Sequence, residues 1–428
     1  MSKFTSTAIA ALMFSSSTYA FAQVADRSYY SEATVAPTGG ENFFVRNRYT
    51  AATDHVYEGV DPVPVRLGVF EARPVLLVSA LSTSNVFLSD VVEESDIILA
   101  IEPSVSATTT WSRHRIGFDA AVRHEEFLDL SDQNATEYGV RGFGEVDVSS
   151  NFAVAGSLLH QNLRENRLGI GGQTTPANAE RVEFDRSYGE VNAVYATDRI
   201  RLRGRIGVNE LDYSNNASVP FNQDLRDQEA VTVSASAQYA VTRDWAIIGE
   251  VISVDRDYTD PASNRDITGI TYRAGVNFEL PVNLRGRITG QYQDFDPEDP
   301  TLQPIEGGGL DASVQWFPTE LTTANFFASQ SVSDAGNTVD SNVEVTRYGA
   351  GLDHELLRTL VLTSQVAFEN RQFNPSNRED DLTVFNVGAN WKLNPNVQIR
   401  GGYTYATQDS TINPFDDHTI SVAIRFFP

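Results

Sequence analysis

Hydrophobic and polar residues alternate with a period of two along most of the chain after residue 66. Segment 230–242, AVTVSASAQYAVT, carries valine, alanine and tyrosine at odd positions and mainly serine, threonine and glutamine at even positions. The same split recurs in 270–280 and 397–405. Because successive side chains of a strand point to opposite faces, this pattern predicts strands with one apolar and one polar face. We count about 18 such strands between residues 70 and 427.

Two kinds of connection alternate between the predicted strands. A short connection recurs about every 37 to 47 residues, which is the length of two strands with their two connections. The short connections are 111–115, 149–152, 196–200, 241–245, 281–284, 318–321, 356–360 and 394–397. The long ones are polar and rich in Asp, Asn, Ser and Gly: 128–136, 164–181, 213–228, 256–267, 294–307, 331–342 and 373–381.

This arrangement separates the all-β architectures from one another. A propeller blade has four strands, whereas each repeat here has two. A soluble sandwich or solenoid would bury the apolar faces in a protein core. Short turns at one rim and long loops at the other are typical of membrane barrels. The pattern therefore predicts an all-β fold, a transmembrane antiparallel up-and-down β-barrel of about 18 strands with short periplasmic turns and long extracellular loops.

The aromatic residues favour the membrane barrel over a soluble core. All four tryptophans lie beside short connections and on the apolar face of their strands: Trp111, Trp245, Trp316 and Trp391. Such a set predicts the girdle of a barrel at one membrane interface. Other aromatic residues are expected at the opposite rim, where strands meet long loops: Phe127, Tyr213, Tyr258, Phe295 and Phe373.

The N-terminal segments predict export from the cytoplasm. Lys3 precedes a modest apolar run, and Ala20-Phe21-Ala22 forms an A-x-A cleavage pattern before Gln23. The apolar run is too short for a transmembrane helix. We therefore expect a signal peptide over 1–22, a periplasmic arm over 23–66 and the barrel over 67–428.

The last predicted strand has the pattern of a closing barrel strand. Segment 418–427, HTISVAIRFF, alternates Ile420, Val422, Ile424 and Phe426 and ends on aromatic residues. Barrel proteins commonly close with such a strand, which the outer-membrane barrel assembly machinery recognises. That machinery is therefore an expected partner, together with outer-membrane lipid and lipopolysaccharide.

Composition excludes several functions. The net charge of −25 argues against nucleic acid as a partner, and the absence of cysteine excludes disulfides and thiol chemistry. The histidines lack metal-ligand spacing, and no serine stands in a nucleophile motif. The acid-rich segment 255–266 lacks the Gly and Glu of an EF-hand, so we expect a solvated loop there. No enzyme, cofactor or metal site is predicted.

The polar strand faces predict a lumen of mixed charge. The motif LRGRI occurs at 202–206 and at 284–288. In both copies the arginines stand at positions that belong to the polar face of the strand. The expected lumen-lining residues are Arg203, Arg205, Arg273, Arg285, Arg287, Arg347, Arg400, Glu190, Glu250 and Asp311. Two interpretations are compatible with this wall. The charges pair across neighbouring strands and brace the barrel, or they line a conduit for hydroxyl-rich or anionic solutes.

The chain resembles the outer-membrane family known as "putative β-barrel porin 2", found in surface-polysaccharide gene clusters of proteobacteria. The resemblance begins at YEGVDPVPVRLGVFEARPVL, residues 57–76. It continues through 84–90, 95–119, 268–280, the LRGRI motif and 346–373. It implies an outer-membrane pore that exports a polysaccharide polymer together with a periplasmic polysaccharide-export protein and inner-membrane components.

Three functions follow from the sequence as hypotheses. The resemblance favours export of a surface polysaccharide. A general or solute-selective porin is the first alternative, because it needs only the polar lumen. The second alternative is a surface-anchoring barrel that does not conduct. In all three cases the expected location is the outer membrane of a Gram-negative bacterium.

Overall fold

The computed structural model describes residues 48–168, 179–302, 304–335, 340 and 342–428. The predicted signal peptide and residues 23–47 of the predicted arm lie outside these ranges. Apart from strands, the described residues form three short 3-10 helices, Ala52–Asp54, Ser131–Gln133 and Gln223–Arg226. Among the described residues, no helix is long and apolar enough to cross a membrane.

The described residues form nineteen antiparallel strands. They are β1 (Val65–Leu67), β2 (Phe70–Thr83), β3 (Asp96–Thr109), β4 (Arg115–Phe127), β5 (Ala135–Asp147), β6 (Phe152–Arg164), β7 (Glu183–Ala196), β8 (Ile200–Tyr213), β9 (Gln228–Ala240), β10 (Trp245–Tyr258), β11 (Ile267–Leu280), β12 (Leu284–Pro297), β13 (Ile305–Thr319), β14 (Thr322–Asp334), β15 (Asn342–Leu357), β16 (Leu360–Asn374), β17 (Glu379–Asn394), β18 (Val397–Ser410) and β19 (Phe415–Phe426).

Strands β2 to β19 close an 18-stranded barrel in which each strand pairs with its neighbours in the chain. Closure is made by β19 and β2, whose register runs from Thr419↔Thr83 to Phe426↔Leu76. The short strand β1 forms a hairpin with the start of β2. The predicted fold class and strand number are confirmed, and the last strand closes the barrel.

Short and long connections occupy opposite ends of the barrel. The turn end has connections such as 281–283 and 395–396, whereas the loop end has connections such as 84–95 and 214–227. The predicted long loop 373–381 is wrong, because β16 continues to Asn374 and β17 begins at Glu379. Only residues 375–378 remain as a connection, and Asp380 at the start of β17 is fully buried and accepts hydrogen bonds from Arg378 and Ser410.

The two faces of the strands separate apolar from polar residues. On β8, Leu202 and Ile206 are 46% and 49% exposed on the outer surface. Arg201 and Arg205 have the opposite parity and are buried inside the barrel. A strand of this kind gives lipid an apolar surface and leaves its polar side chains in the lumen.

Small hydrophobic cores lie inside the barrel at its loop end. In one, the loop residues Val182 and Val219 cover Phe184 and Tyr213. In two others, Phe127 and Phe373 are packed with residues of the adjoining strands and loops. These aromatic side chains point inward, so they form no second lipid-facing girdle. The sequence predicted their position at this rim correctly. Apolar loop residues pack on them, so these side chains contact neither water nor lipid.

Candidate functional site in the barrel lumen

Charged residues of the lumen wall pair across adjacent strands. Arg273 Nη1 lies 3.4 Å from Glu250 Oε2, and the two residues are register partners on β11 and β10. Arg287 Nη2 on β12 reaches the same carboxylate oxygen at 4.0 Å. One glutamate therefore faces two arginines from the next two strands, an arrangement that holds the side chains against the wall.

Two further predicted lumen residues form deeper pairs. Arg205 Nη1 lies 3.5 Å from Glu190 Oε2, and both side chains are nearly inaccessible. The hydroxyl of Tyr188 donates to the same carboxylate oxygen at 2.8 Å. On β15, Arg347 Nε lies 3.8 Å from Glu369 Oε2. The structure thus brings together most of the predicted arginines and glutamates.

The remaining predicted residues have other neighbours. Arg285 donates to Gln315 at 2.6 Å, and its guanidinium lies 5.1 Å from the ring centroid of Phe317. The strand register sets Arg203 opposite Ser236, Arg400 opposite Asn390 and Asp311 opposite Thr289. The parity of these residues places them on the lumen face.

A long loop crosses the lumen. It connects β6 to β7, and we call residues 165–182 the crossing loop, of which 165–168 and 179–182 are described. The carbonyl oxygen of Leu168 accepts a hydrogen bond of 2.7 Å from Arg371 Nη2 on β16. In a ring of 18 strands, β16 is nine steps from β7 in either direction. The crossing loop therefore reaches the opposite wall.

The tip of the crossing loop is packed as well as hydrogen-bonded. Leu168 belongs to a buried cluster with Ala367, Leu382 and Val384 on the far wall. Leu88, from the loop between β2 and β3, packs into the same cluster. Two loops from different parts of the barrel thus meet on one apolar patch inside the lumen. Burial of these side chains stabilises the loops in a folded-in position.

Three buried arginines hold the described parts of the crossing loop. Arg226 pairs with Glu165 and its guanidinium lies 4.1 Å from the ring centroid of Tyr213. Arg167 donates to Gln133 at 2.8 Å and to the carbonyl of Ala179 at 2.6 Å. The third pair joins Arg181 to Glu125 at 2.8 Å. Buried guanidinium groups of this kind bind several partners in a fixed geometry.

Arginines also concentrate near the loop between β10 and β11. Burial, followed by repulsion from Arg226 and Arg256, lowers the pKa of Arg265 to about 10. The Arg265 side chain donates to the carbonyl of Leu225 at 2.9 Å and lies 4.4 Å from the ring centroid of Tyr258. Arg256, Arg265 and Tyr258 line a cavity of about 30 Å³. Two arginines therefore lie at one cavity of the loop end, within loops whose sequences are rich in acidic residues.

Sequence reasoning missed these loop arginines. Arg167, Arg226 and Arg265 lie in segments that were assigned as solvated polar loops, where strand parity gives no direction to a side chain. A weak signal exists in the aromatic residues nearby, because Tyr213 and Tyr258 both accept a guanidinium over the ring.

A second element lies inside the barrel at its turn end. We call residues 48–61 the inner belt. Arg48 donates from its backbone amide to Glu279 at 2.8 Å, and Tyr49 stacks on Phe317 with ring centroids 5.0 Å apart. Further contacts join Ala52 to Thr323, His55 and Tyr57 to Glu355, and Asp61 to Lys392. The described part of the predicted periplasmic arm is thus docked on the lumen wall.

The four tryptophans lie on the outer surface near the turn end. Trp111, Trp245, Trp316 and Trp391 are all between 42% and 49% exposed. Trp245 is in ring contact with Phe278 of the next strand, with centroids 5.3 Å apart. Their common height and direction are what an interfacial girdle requires. In the part of the chain that the structure describes, no group of three or more His, Cys, Asp or Glu residues is arranged for a metal ion.

A closed barrel with an apolar outer face and a polar, partly obstructed lumen defines an outer-membrane, porin-like protein. The chain belongs to the family described as "Putative beta-barrel porin 2", whose model matches residues 58–426. This confirms the predicted family and implies the outer membrane of a Gram-negative bacterium. A search of curated proteins gives no match.

Several solved structures are similar to this chain in fold. One is OccK2 (OpdF) of Pseudomonas aeruginosa, with 9% identity, 83% of this chain and 98% of that chain covered, and a TM-score of 0.49. Another is a BenF-like porin from Pseudomonas fluorescens Pf-5, with 10% identity, coverage of 83% and 99%, and a TM-score of 0.49. OccAB4 of Acinetobacter baumannii has 13% identity, coverage of 84% and 98%, and a TM-score of 0.48.

Proposed function

We propose that this protein is a solute-selective outer-membrane porin for small polar solutes. The observation that carries the proposal is the hydrogen bond from Arg371 to the carbonyl of Leu168, which fixes the crossing loop on the far wall. A loop that crosses the lumen divides it and leaves narrower passages.

The wall chemistry supports polar rather than apolar cargo. Paired charges such as Glu250 with Arg273 keep both donors and acceptors along the lumen. The arginines of the loop end, including Arg256 and Arg265, add positive potential where a solute enters from outside. Fixed charges of this kind raise the local concentration of oppositely charged solutes. We therefore expect small anions and hydroxyl-rich molecules to pass better than cations of the same size.

The same geometry fits polysaccharide export less well. A hydrated polymer chain would have to pass the crossing loop and the inner belt in succession. The anchors of the crossing loop are buried, as in the pair of Arg226 with Glu165, and buried pairs are costly to break. The export hypothesis therefore requires both elements to move, whereas passage of small solutes does not.

Reconstitution tests the proposal. The purified protein in planar bilayers should give a steady current, and in liposomes it should admit monosaccharides faster than longer oligosaccharides. Absence of current would support the surface-anchoring barrel instead. Equal permeation of long and short oligosaccharides, together with loss of surface polysaccharide in a deletion strain, would support export and contradict the proposal.

A further inference from the structure

The inner belt follows the inside of the barrel wall over seven adjacent strands. It starts on β11, where Arg48 Nη1 donates to the carbonyl of Glu279 at 3.2 Å. It passes β14, where the amide of Ala52 donates to Thr323 Oγ1 at 2.9 Å. It ends on β17, where Lys392 Nζ lies 2.5 Å from Asp61 Oδ1. Seven of 18 strands is more than a third of the circumference.

The contact residues on the wall belong to the lumen face. Trp391, the neighbour of Lys392, is 49% exposed on the outer surface, so Lys392 itself points inward. Glu355 is inward by the same parity argument, since Leu356 is 52% exposed. The inner belt therefore lies within the lumen at the periplasmic mouth. A second layer of chain on a sheet adds about 10 Å of thickness.

Glu355 is the central attachment point of the inner belt. Its two carboxylate oxygens contact His55 Nδ1 at 2.5 Å and the hydroxyl of Tyr57 at 2.6 Å. The Glu355 side chain is 3% exposed while the belt is docked. Displacement of the belt would expose this carboxylate to the water of the lumen. The released state therefore leaves no buried unpaired charge, and this keeps the cost of release low.

The attachments at the two ends of the belt differ in exposure, because the Asp61 and Lys392 side chains are only 15% and 8% exposed, whereas the Arg48 pair is open to water. The pair between Arg48 Nη2 and Asp244 Oδ1 measures 2.6 Å, and both side chains are 30% exposed. Exposed ion pairs of this kind contribute little, about 0–1 kcal/mol each. Only the short stretch at Ala51 and Ala52 is buried. The belt is thus held by separate polar contacts around a small apolar centre.

We propose that the inner belt is a displaceable gate at the periplasmic mouth of the lumen. Docked on Glu355 and Lys392, it narrows the mouth on one side. When the belt is released, the mouth becomes wider by the area that the belt had occupied. The gate rests on the proposed function, because it has a role only if the lumen conducts.

The absence of cysteine from the chain allows a direct test. Ala52→Cys with Thr323→Cys introduces one pair at the centre of the belt, where backbone and side chain are already in hydrogen-bond contact. A disulfide there would lock the docked state. The control pair, Ala350→Cys with Val366→Cys, joins register partners of β15 and β16 on the outer surface. Opposed residues of antiparallel strands lie within disulfide range.

Single-channel conductance is then compared before and after reduction, at about 1 M salt to weaken the exposed ion pairs. The oxidised belt pair should show one conductance level, and the reduced form should show openings roughly 1.5-fold larger, because a layer about 10 Å thick leaves the mouth. The control pair should not respond to reduction. Equal conductance of the oxidised and reduced belt pair would overturn the gate, whereas absence of current in every form would overturn the proposed function itself.

A second variant covers the case in which the cysteine pair does not fold. Glu355→Ala removes the acceptor for His55 and Tyr57 and leaves the backbone ladder of β15 unchanged. It should populate the larger conductance level more often than the wild type. Identical level occupancy in Glu355→Ala and wild type would count against the gate.

Discussion

The two ends of the lumen are obstructed in different ways. At the loop end, the crossing loop is fixed by buried arginine pairs and by Leu168 in an apolar cluster. At the turn end, the inner belt is fixed by separate polar contacts, of which the Arg48–Asp244 pair is partly exposed. Buried pairs are expensive to break one partner at a time, and exposed pairs are cheap. The inner belt, which has one partly exposed ion pair among its attachments, is therefore the obstruction that we expect to be released more easily.

The largest effect is expected from removing a buried anchor of the crossing loop. Arg226→Ala leaves the Glu165 carboxylate buried without its partner, which should cost about 3–5 kcal/mol of local stability. We expect rapid proteolysis within 165–182 and a larger conductance. Arg164→Ala is the matched control, because its pair with Glu183 is partly exposed. Equal protease resistance of the two variants would mean that burial does not separate these anchors.

A smaller effect is expected from overpacking the inside of the loop end. A Cβ atom on Gly269 would lie 2.1 Å from the ring of Phe295, so Gly269→Ala should cost about 1–3 kcal/mol of unfolding free energy. Gly290 has no neighbour within 4 Å of such an atom, and Gly290→Ala serves as the control. Urea unfolding followed by gel mobility measures both. A cost in Gly290→Ala as large as that in Gly269→Ala would show that the interior is no more tightly packed there.

A still smaller effect concerns the wall between the two obstructions. Glu250→Gln removes the negative charge that faces Arg273 and Arg287. The anion-to-cation permeability ratio should rise on the order of twofold, since fixed lumen charges set the local ion concentration. Reversal potentials in a salt gradient measure the ratio. Glu210→Gln, on the exposed outer face of β8, should leave it unchanged. An unchanged ratio in Glu250→Gln would show that ions do not pass this part of the wall.

The smallest predicted effect is a pH dependence of the inner belt. The hydrogen bond to Glu355, with burial and the nearby carboxylate charge, raises the pKa of Tyr57 above its ordinary value of 10.0. A raised pKa means that the stabilising contribution is present below the ordinary pKa and is lost as the pH rises through the raised one. The larger conductance level should therefore become more frequent above pH 10. Tyr57→Phe should remove this dependence, and its persistence there would assign it to another group.

The alternation of apolar and polar residues predicted most of the barrel strands and their faces. It gives no information about side chains in the connections between strands. The alternation in 230–242 and the position of Trp245 beside a turn identified β9 and β10 and their outer face. The LRGRI arginines Arg205 and Arg287 were assigned to the lumen by the same rule. A period of two carries this information because each residue of a strand has only two directions.

The obstructions could not be predicted in the same way. Leu168 and Arg226 lie in the connections between strands, and their partners Arg371 and Glu165 are far away in the chain. Tyr213 and Phe373 were placed at the right rim and have the inward parity of Arg205 and Arg371, but the local pattern does not show which loop residues cover them. Such contacts depend on how loops fold over the barrel, and that is set by tertiary packing rather than by local pattern.

The most direct test of the account is the conductance of Arg371→Ala beside Arg347→Ala. Both arginines pair with Glu369 on the lumen wall, but Arg371 also holds the Leu168 carbonyl of the crossing loop. If the crossing loop sets the bore, Arg371→Ala should raise single-channel conductance and admit larger sugars into liposomes, while Arg347→Ala keeps the wild-type size limit. The same conductance and size limit in both variants would contradict the crossing loop as the constriction.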